Sequence, residues 1–216
     1  MFTGFTPETV DFLWGLRMNN NRAWFQPRRQ QYIDTLYEPM KALGQDLFAP
    51  FADRPGAMLK VSRIYRDARL HHPDPYKEGL WLAVRLDMNY WAESPCLFFD
   101  IHPEGVSCGF SLWRPTTAAM ENFRRKIAAD PEPFLRLIGE TERAAGLPVT
   151  AECYKKPKPF EDPALEPYFR WKADISCIRS EPVSDAIFGP ALGQRVGELF
   201  EQLTPLLVYF ASISVQ

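Results

Sequence analysis

The segment Leu80-Trp81-Leu82-Ala83-Val84-Arg85-Leu86-Asp87 alternates along its length. Successive side chains of a strand point to opposite faces, so Leu80, Leu82, Val84 and Leu86 turn inward and Arg85 and Asp87 outward. Working outward from it, Met58 to Tyr65, Cys96 to His102 and Val106 to Trp113 also alternate or concentrate β-formers, and the second strand itself extends to Met88. The connectors carry Pro73, Pro75, Pro95 and Pro103-Glu104-Gly105, the last a tight hairpin turn. None has room for a crossover helix, which predicts an antiparallel meander.

Helices flank this block. Thr6-Pro7-Glu8 supplies a hydroxyl cap, a proline at the first helical position and an acid near the positive dipole end. Val10, Leu13, Trp14 and Leu16 then share a face to about Arg17. Asn19-Asn20-Asn21 breaks that helix and caps a second from near Arg22, which Pro39 should kink or split. Downstream, Pro115 to Ala129 and Pro133 to Ala145 read as helices, the latter closed by Gly146. Val149 to Tyr154 and Asp174 to Ile178 read as strands, and Pro190 to Ser212 as a helix broken at Thr204-Pro205. Gly189, Gly193 and Gly197 would let that last helix approach a neighbour closely. The fold class is α+β, a single domain over 1–216: N-terminal helices, a mostly antiparallel β-sheet, and C-terminal helices packed on it.

With 46% hydrophobic and 24% charged residues, the 216-residue chain can bury a core, which excludes a disordered chain or a fibrous rod. A net charge of −2 and a pI near 6.0 imply no global attraction to nucleic acid or anionic membrane, so neither is an expected partner. The N-terminus has no signal-peptide pattern, and no apolar run approaches the ~20 residues of a membrane span. Cys96, Cys108, Cys153 and Cys177 contain no C-x-x-C pair and read as reduced, mostly buried thiols of a cytoplasmic protein. Phosphate-loop, dinucleotide, zinc-protease and nucleophile-elbow motifs are absent, no cofactor is implied, and nothing in the sequence sets an oligomeric state.

The densest chemistry lies between Arg54 and Lys77, where six basic side chains face two acids, a net of +4. Guanidinium forks suit phosphate and carboxylate because their planar donors bind two oxygens at once. On a strand, Arg63 shares a face with Val61 and Tyr65 and Arg66 takes the other, so one of them faces the interior or a cleft. Asp67 is the nearest partner for Arg63. The expected ligand-binding set is Arg63, Arg66, Asp67, Arg69, Tyr76 and Lys77, with a small anionic ligand as partner; a structural ion-pair network is the competing reading. Tyr76-Lys77 would be a loop anchor or a ligand contact. His71-His72-x-Asp74, even with Asp100 and His102, is a thin supply for zinc, and no metal site is expected. Asp100 and His102 share a strand face and could form an acid/base pair, or merely a solvent-facing row opposite Arg85 and Asp87. The clusters Trp24-Phe25, Tyr90-Trp91 and Tyr168-Phe169-Arg170-Trp171-Lys172 are read as core rather than as base-stacking platforms.

Gly4-Phe5-Thr6-Pro7-Glu8-Thr9, Asp11-Phe12-Leu13 and Asn19-Asn20-Asn21-Arg22-x-Trp24-Phe25 resemble the opening of the family called domain of unknown function 2461, continued by Tyr32 and Pro39-Met40. Arg63-Ile64-Tyr65-Arg66-Asp67-Ala68-Arg69, then Pro75-Tyr76-Lys77, resemble its most diagnostic signature; Phe110-Ser111-Leu112-Trp113-x-Pro115 and the Lys172 region extend the likeness. Leu70-His71-His72-Pro73-Asp74 departs from the family's run, which is one residue longer and reads like Phe-Ser-Lys-Asp-Lys-Thr. The resemblance implies no established activity, but it implies that the arginine segment defines the family. Three functions follow as expectations: binding of a small anion at that segment, an enzyme using Asp67 or Asp100/His102 as acid/base, or an interaction module using exposed aromatics.

Overall fold

The computed structural model describes residues 1–67, 69–70, 73–86, 92–156 and 162–214. The meander forms as the alternation predicts. Strands β1 (Met58–Val61), β2 (Leu80–Arg85), β3 (Cys96–His102) and β4 (Gly105–Leu112) pair in sequence order; β6 (Trp171–Pro182) follows on β4, with β5 (Thr150–Cys153) at the edge. All five pairings are antiparallel. Leu82, Val84, Leu97, Phe99, Ile101, Phe110, Ile175 and Cys177 are fully buried on the inner face. Two helices cover that face: α4 (Glu38–Phe48) lies on β1 and β2, and α8 (Ala191–Ser214) on β3 and β4.

Three expected boundaries move, each for a local reason. β1 ends at Val61 rather than Tyr65, because the Ser62 hydroxyl, not a backbone carbonyl, accepts the Trp81 N–H at 3.0 Å. The chain then runs irregularly to an isolated bridge between Tyr65 and Tyr76. β6 is much longer than Asp174–Ile178, since it pairs along the whole of β4. The expected break at Thr204-Pro205 is absent, and α8 runs through it. Pro205 is on the exposed side, where water can serve the carbonyl that proline leaves unbonded, while Leu203, Leu206 and Leu207 hold the other side in the core. Of the glycine ladder, Gly193 brings α8 against the Phe2 ring, whereas Gly189 precedes the helix at φ +74°.

Pro39 disturbs its helix as expected, one turn earlier than a simple kink. After α1 (Pro7–Met18), α2 (Arg22–Phe25) and α3 (Arg29–Tyr32), the chain widens into a π turn over Ile33–Tyr37 before α4. Proline has no N–H for the carbonyl four residues back and its ring crowds that carbonyl. The carbonyl concerned is Thr35's, and the fully buried Thr9 hydroxyl of α1 donates to it at 2.7 Å. The Glu38 N–H meanwhile bonds to Ile33, five residues back. The remaining helices, α5 (Thr117–Ala129), α6 (Pro131–Ala145) and the short α7 (Glu166–Phe169), pack with α8 around Phe123, Phe134 and Trp171. Gly146 closes α6 in the left-handed conformation, as expected.

Candidate functional site

The strand registers lay the outer face of the sheet out in three rows. One runs Trp81, Asp100, Ser107, Ser180; the next Lys60, Ala83, Phe98, Gly109, Ile178; the third Met58, Arg85, then Cys96, Ser111, Ser176. Gly109 is required in the middle row: its φ is +152°, and a Cβ there would stand 2.1 Å from the Cys177 carbonyl. The floor beside Phe98 therefore stays bare. A cavity of about 310 Å³ occupies this face, with Lys60, Trp81, Arg85, Phe98, Asp100 and Trp113 among its walls. At one rim, the Arg114 guanidinium stands 4.2 Å over the Trp113 ring. Buried Ser94 also contributes to the lining.

This corrects the expected solvent-facing row. Arg85 is on the outer face, as predicted, yet only 8% exposed, with a guanidinium nitrogen 2.9 Å from the Met58 sulfur. Asp100 stands opposite Trp81, not Arg85. Burial pushes its carboxyl up to about 6, an effect that the nearby His102 opposes. No hydrogen bond or ion pair satisfies it among the described residues. Asp87, His71, His72, Tyr90 and Trp91 lie outside the described residues, so the opposing row and the histidine pair are not placed.

The six residues expected to bind the anion do not converge on one cavity. Asp67 is turned to Arg69, not to Arg63: the pair makes two side-chain bonds of 3.0 and 2.7 Å, and the Asp67 carboxylate also accepts the Arg69 N–H at 3.0 Å. That choice follows from the early end of β1, which removes the strand alternation that would align Asp67 with Arg63. Tyr76 is an anchor, 1% exposed and stacked on Phe25 at 4.2 Å. Asn20, from the asparagine run, holds its backbone from both sides, accepting its N–H at 3.0 Å and donating to its carbonyl at 2.9 Å. Arg63 is exposed and points to a different groove, beside Arg29, Tyr32, Tyr37 and Tyr65.

Arg66 and Lys77 fare differently. The Lys77 ammonium lies 5.8 Å from the centroid of Trp81, a wall of the sheet cavity, and donates to the Arg63 carbonyl at 2.7 Å. Its pKa is lowered, first by burial and then by the like charges of Lys60 and Arg66. Lys60, a wall of the cavity, and Lys77 thus bring two cations to the Trp81 edge. Arg66 is ion-paired with Asp74 and with Glu78, each at 3.8 Å. Glu78 is bonded through its other oxygen to Arg17, which also grips Glu104. Glu104 in turn bonds the His102 ring at 2.9 Å, and Arg17, with His102, holds its carboxyl down at about 2.

A family model described as a conserved hypothetical protein, DUF2461, matches residues 8–209. The chain belongs to this family. No curated protein matches the chain. In this DUF2461 chain two residues of the signature part company: Lys77 stands beside Trp81 of the sheet cavity, and Arg63 lines the groove beside the helices. Trp81, Arg85, Phe98 and Trp113 escaped notice in the sequence as site residues, and Lys60 counted only as part of the charge cluster. A signal for them exists. Most outward positions of β3 and β4, among them Cys96, Phe98, Ser107, Gly109 and Ser111, are small or apolar where a solvated face would carry charges, Asp100 and His102 being the exceptions. Among the described residues no helix is long and apolar enough to cross a membrane, and no group of three or more His, Cys, Asp or Glu side chains gathers as a metal site would require.

Proposed function

We propose that the protein binds a small organic anion on the outer face of the sheet. Its flat or apolar body would lie over Phe98, Ala83 and Trp81, and its charged end would meet Lys60 and Lys77. The observation that carries this reading is the placement of Lys60 and Lys77 at the Trp81 edge of an apolar-floored cavity. Like charges held together destabilise one another, and an arriving anion relieves that repulsion. A largely apolar pocket with a few convergent polar groups and a perturbed carboxyl is the usual form of a small-molecule site. Within the expected set, Lys77 keeps the ligand role; Arg66 is ion-paired with Asp74 and Glu78, whereas Asp67 with Arg69, and Tyr76, shape the loop. All four cysteines are free and Cys153 is exposed, which suits a reducing compartment, and the cytoplasm is the proposed location.

A second reading, an enzyme acting on that anion, is favoured by Asp100. A carboxylate in the cavity, unbonded and titrating near 6, is placed to accept a proton from a bound ligand. Asp67, occupied by Arg69, is not.

A thermal-shift screen against aromatic and aliphatic carboxylates and phosphates tests the binding. A ligand at ~100 times its Kd contributes about 2.7 kcal/mol, or roughly 5–10 °C for a chain of this size. The shift should vanish in Lys60→Gln and Lys77→Gln and survive in Arg63→Gln. A flat screen, or a shift indifferent to Lys60 and Lys77, would overturn the assignment.

A further inference from the structure

We propose a second ligand site, for a phosphate monoester on a flat carrier, in the groove between the π turn and the chain after β1, with Arg29 and Arg63 as its phosphate forks and Tyr37 and Tyr65 as its platform. The groove encloses about 270 Å³. Neither the Arg29 nor the Arg63 side chain makes a hydrogen bond or ion pair among the described residues. Two forks ask for more oxygens than a carboxylate offers, whereas a phosphate monoester presents three. The one acid in the groove, Glu38, is bonded by Lys41 at 3.0 and 3.1 Å, and the Lys41 ammonium stands 5.4 Å over the Tyr37 ring. The groove is therefore cationic on balance.

The π turn builds the platform. Residues five apart on an α-helix point about 140° away from one another. Over Ile33–Tyr37 the wider winding brings such a pair back into line, and Tyr32 and Tyr37 stack at 5.7 Å with 30° between their planes. Tyr65, though half exposed, is held edge-on to Phe25 at 6.0 Å and against Tyr76 at 5.5 Å. Both rings are thus fixed before any ligand arrives, which lowers the ordering cost of binding. A π turn inside a helix is uncommon and frequently marks a functional position.

The test is an NMR titration of the arginine Nε–H groups with phenyl phosphate, inorganic phosphate and benzoate, in the full chain and in Arg29→Gln, Arg63→Gln and Lys60→Gln. Phenyl phosphate should shift the Arg29 and Arg63 signals saturably and at least tenfold more tightly than inorganic phosphate or benzoate. Each arginine substitution should weaken it tenfold or more, and Lys60→Gln should leave it unchanged, which separates this groove from the sheet cavity. Both arginines are exposed, so neither variant threatens folding. The absence of a saturable shift up to about 10 mM, the weak end of specific binding, would overturn the site. So would a benzoate response as tight as the phosphate one, or a shift that survives both arginine substitutions.

Discussion

Replacing Asp100 with asparagine should stabilise the protein, and by an amount that depends on pH. Asp100 faces Trp81 and Ser107 across the strands with no bonded partner, and its carboxyl is pushed from an ordinary 3.8 up to about 6 by burial. The folded state therefore keeps the proton up to about pH 6, while the unfolded chain releases it near pH 4. Between those values the folded state binds more protons, so this group's contribution falls as pH rises through the window and is constant above it. At 1.36 kcal/mol per pH unit, a displacement from 3.8 to about 6 amounts to roughly 3 kcal/mol, and partial solvent access reduces it to about 2–3 kcal/mol. Asparagine has nearly the same shape and no charge. Urea unfolding of wild type and Asp100→Asn at pH 4, 5, 6 and 7.5 should give equal stabilities at the lowest pH and a gap growing to about 2–3 kcal/mol at neutrality, which is some 4–12 °C in Tm for this chain length. A gap that is constant with pH, or a variant less stable at pH 7.5, would refute the reasoning.

Three further substitutions check the surrounding account. Arg124→Leu removes a buried guanidinium that donates to the Phe169 and Trp171 carbonyls at 3.0 and 2.6 Å; stranding both acceptors should cost about 2–4 kcal/mol in chemical denaturation. Thr9→Val keeps the shape but leaves the Thr35 carbonyl of the π turn unbonded, and should cost about 1–3 kcal/mol, with faster amide exchange over residues 33–38. Arg69→Gln should leave the urea midpoint unchanged, because its bond to Asp67 is at the surface; a clear loss would show that the pair does more than shape its loop.

Much of the fold was legible because period-two alternation is a local property. Leu80, Leu82 and Val84 are all fully buried as read, and the Pro103-Glu104-Gly105 turn joins β3 and β4 where expected. The site was less legible because it depends on register between distant segments. That Lys60 and Lys77 flank Trp81 follows from the pairing of Met58–Val61 with the strand after a long loop, which no local pattern specifies. Strand alternation cannot place Arg63 and Arg66, because the Ser62 hydroxyl ends the ladder at Val61. Pro39 announced a disturbance, but its form depends on Thr9 of another helix supplying the missing donor. Asp100 reads from the sequence more readily as solvated than as functional, since the burial that raises its pKa comes from the whole outer face.

The most direct test of the binding claim follows the Trp81 indole N–H by NMR, assigned with Trp81→Phe, while an anion selected by the thermal screen is titrated into wild type and Lys77→Gln. A saturable shift of this indole is expected in wild type, at the ligand concentration that raises Tm, with at least a tenfold weaker response in the variant. A ligand that raises Tm while leaving the Trp81 signal unmoved, or that moves it equally in both proteins, would contradict the placement of the site.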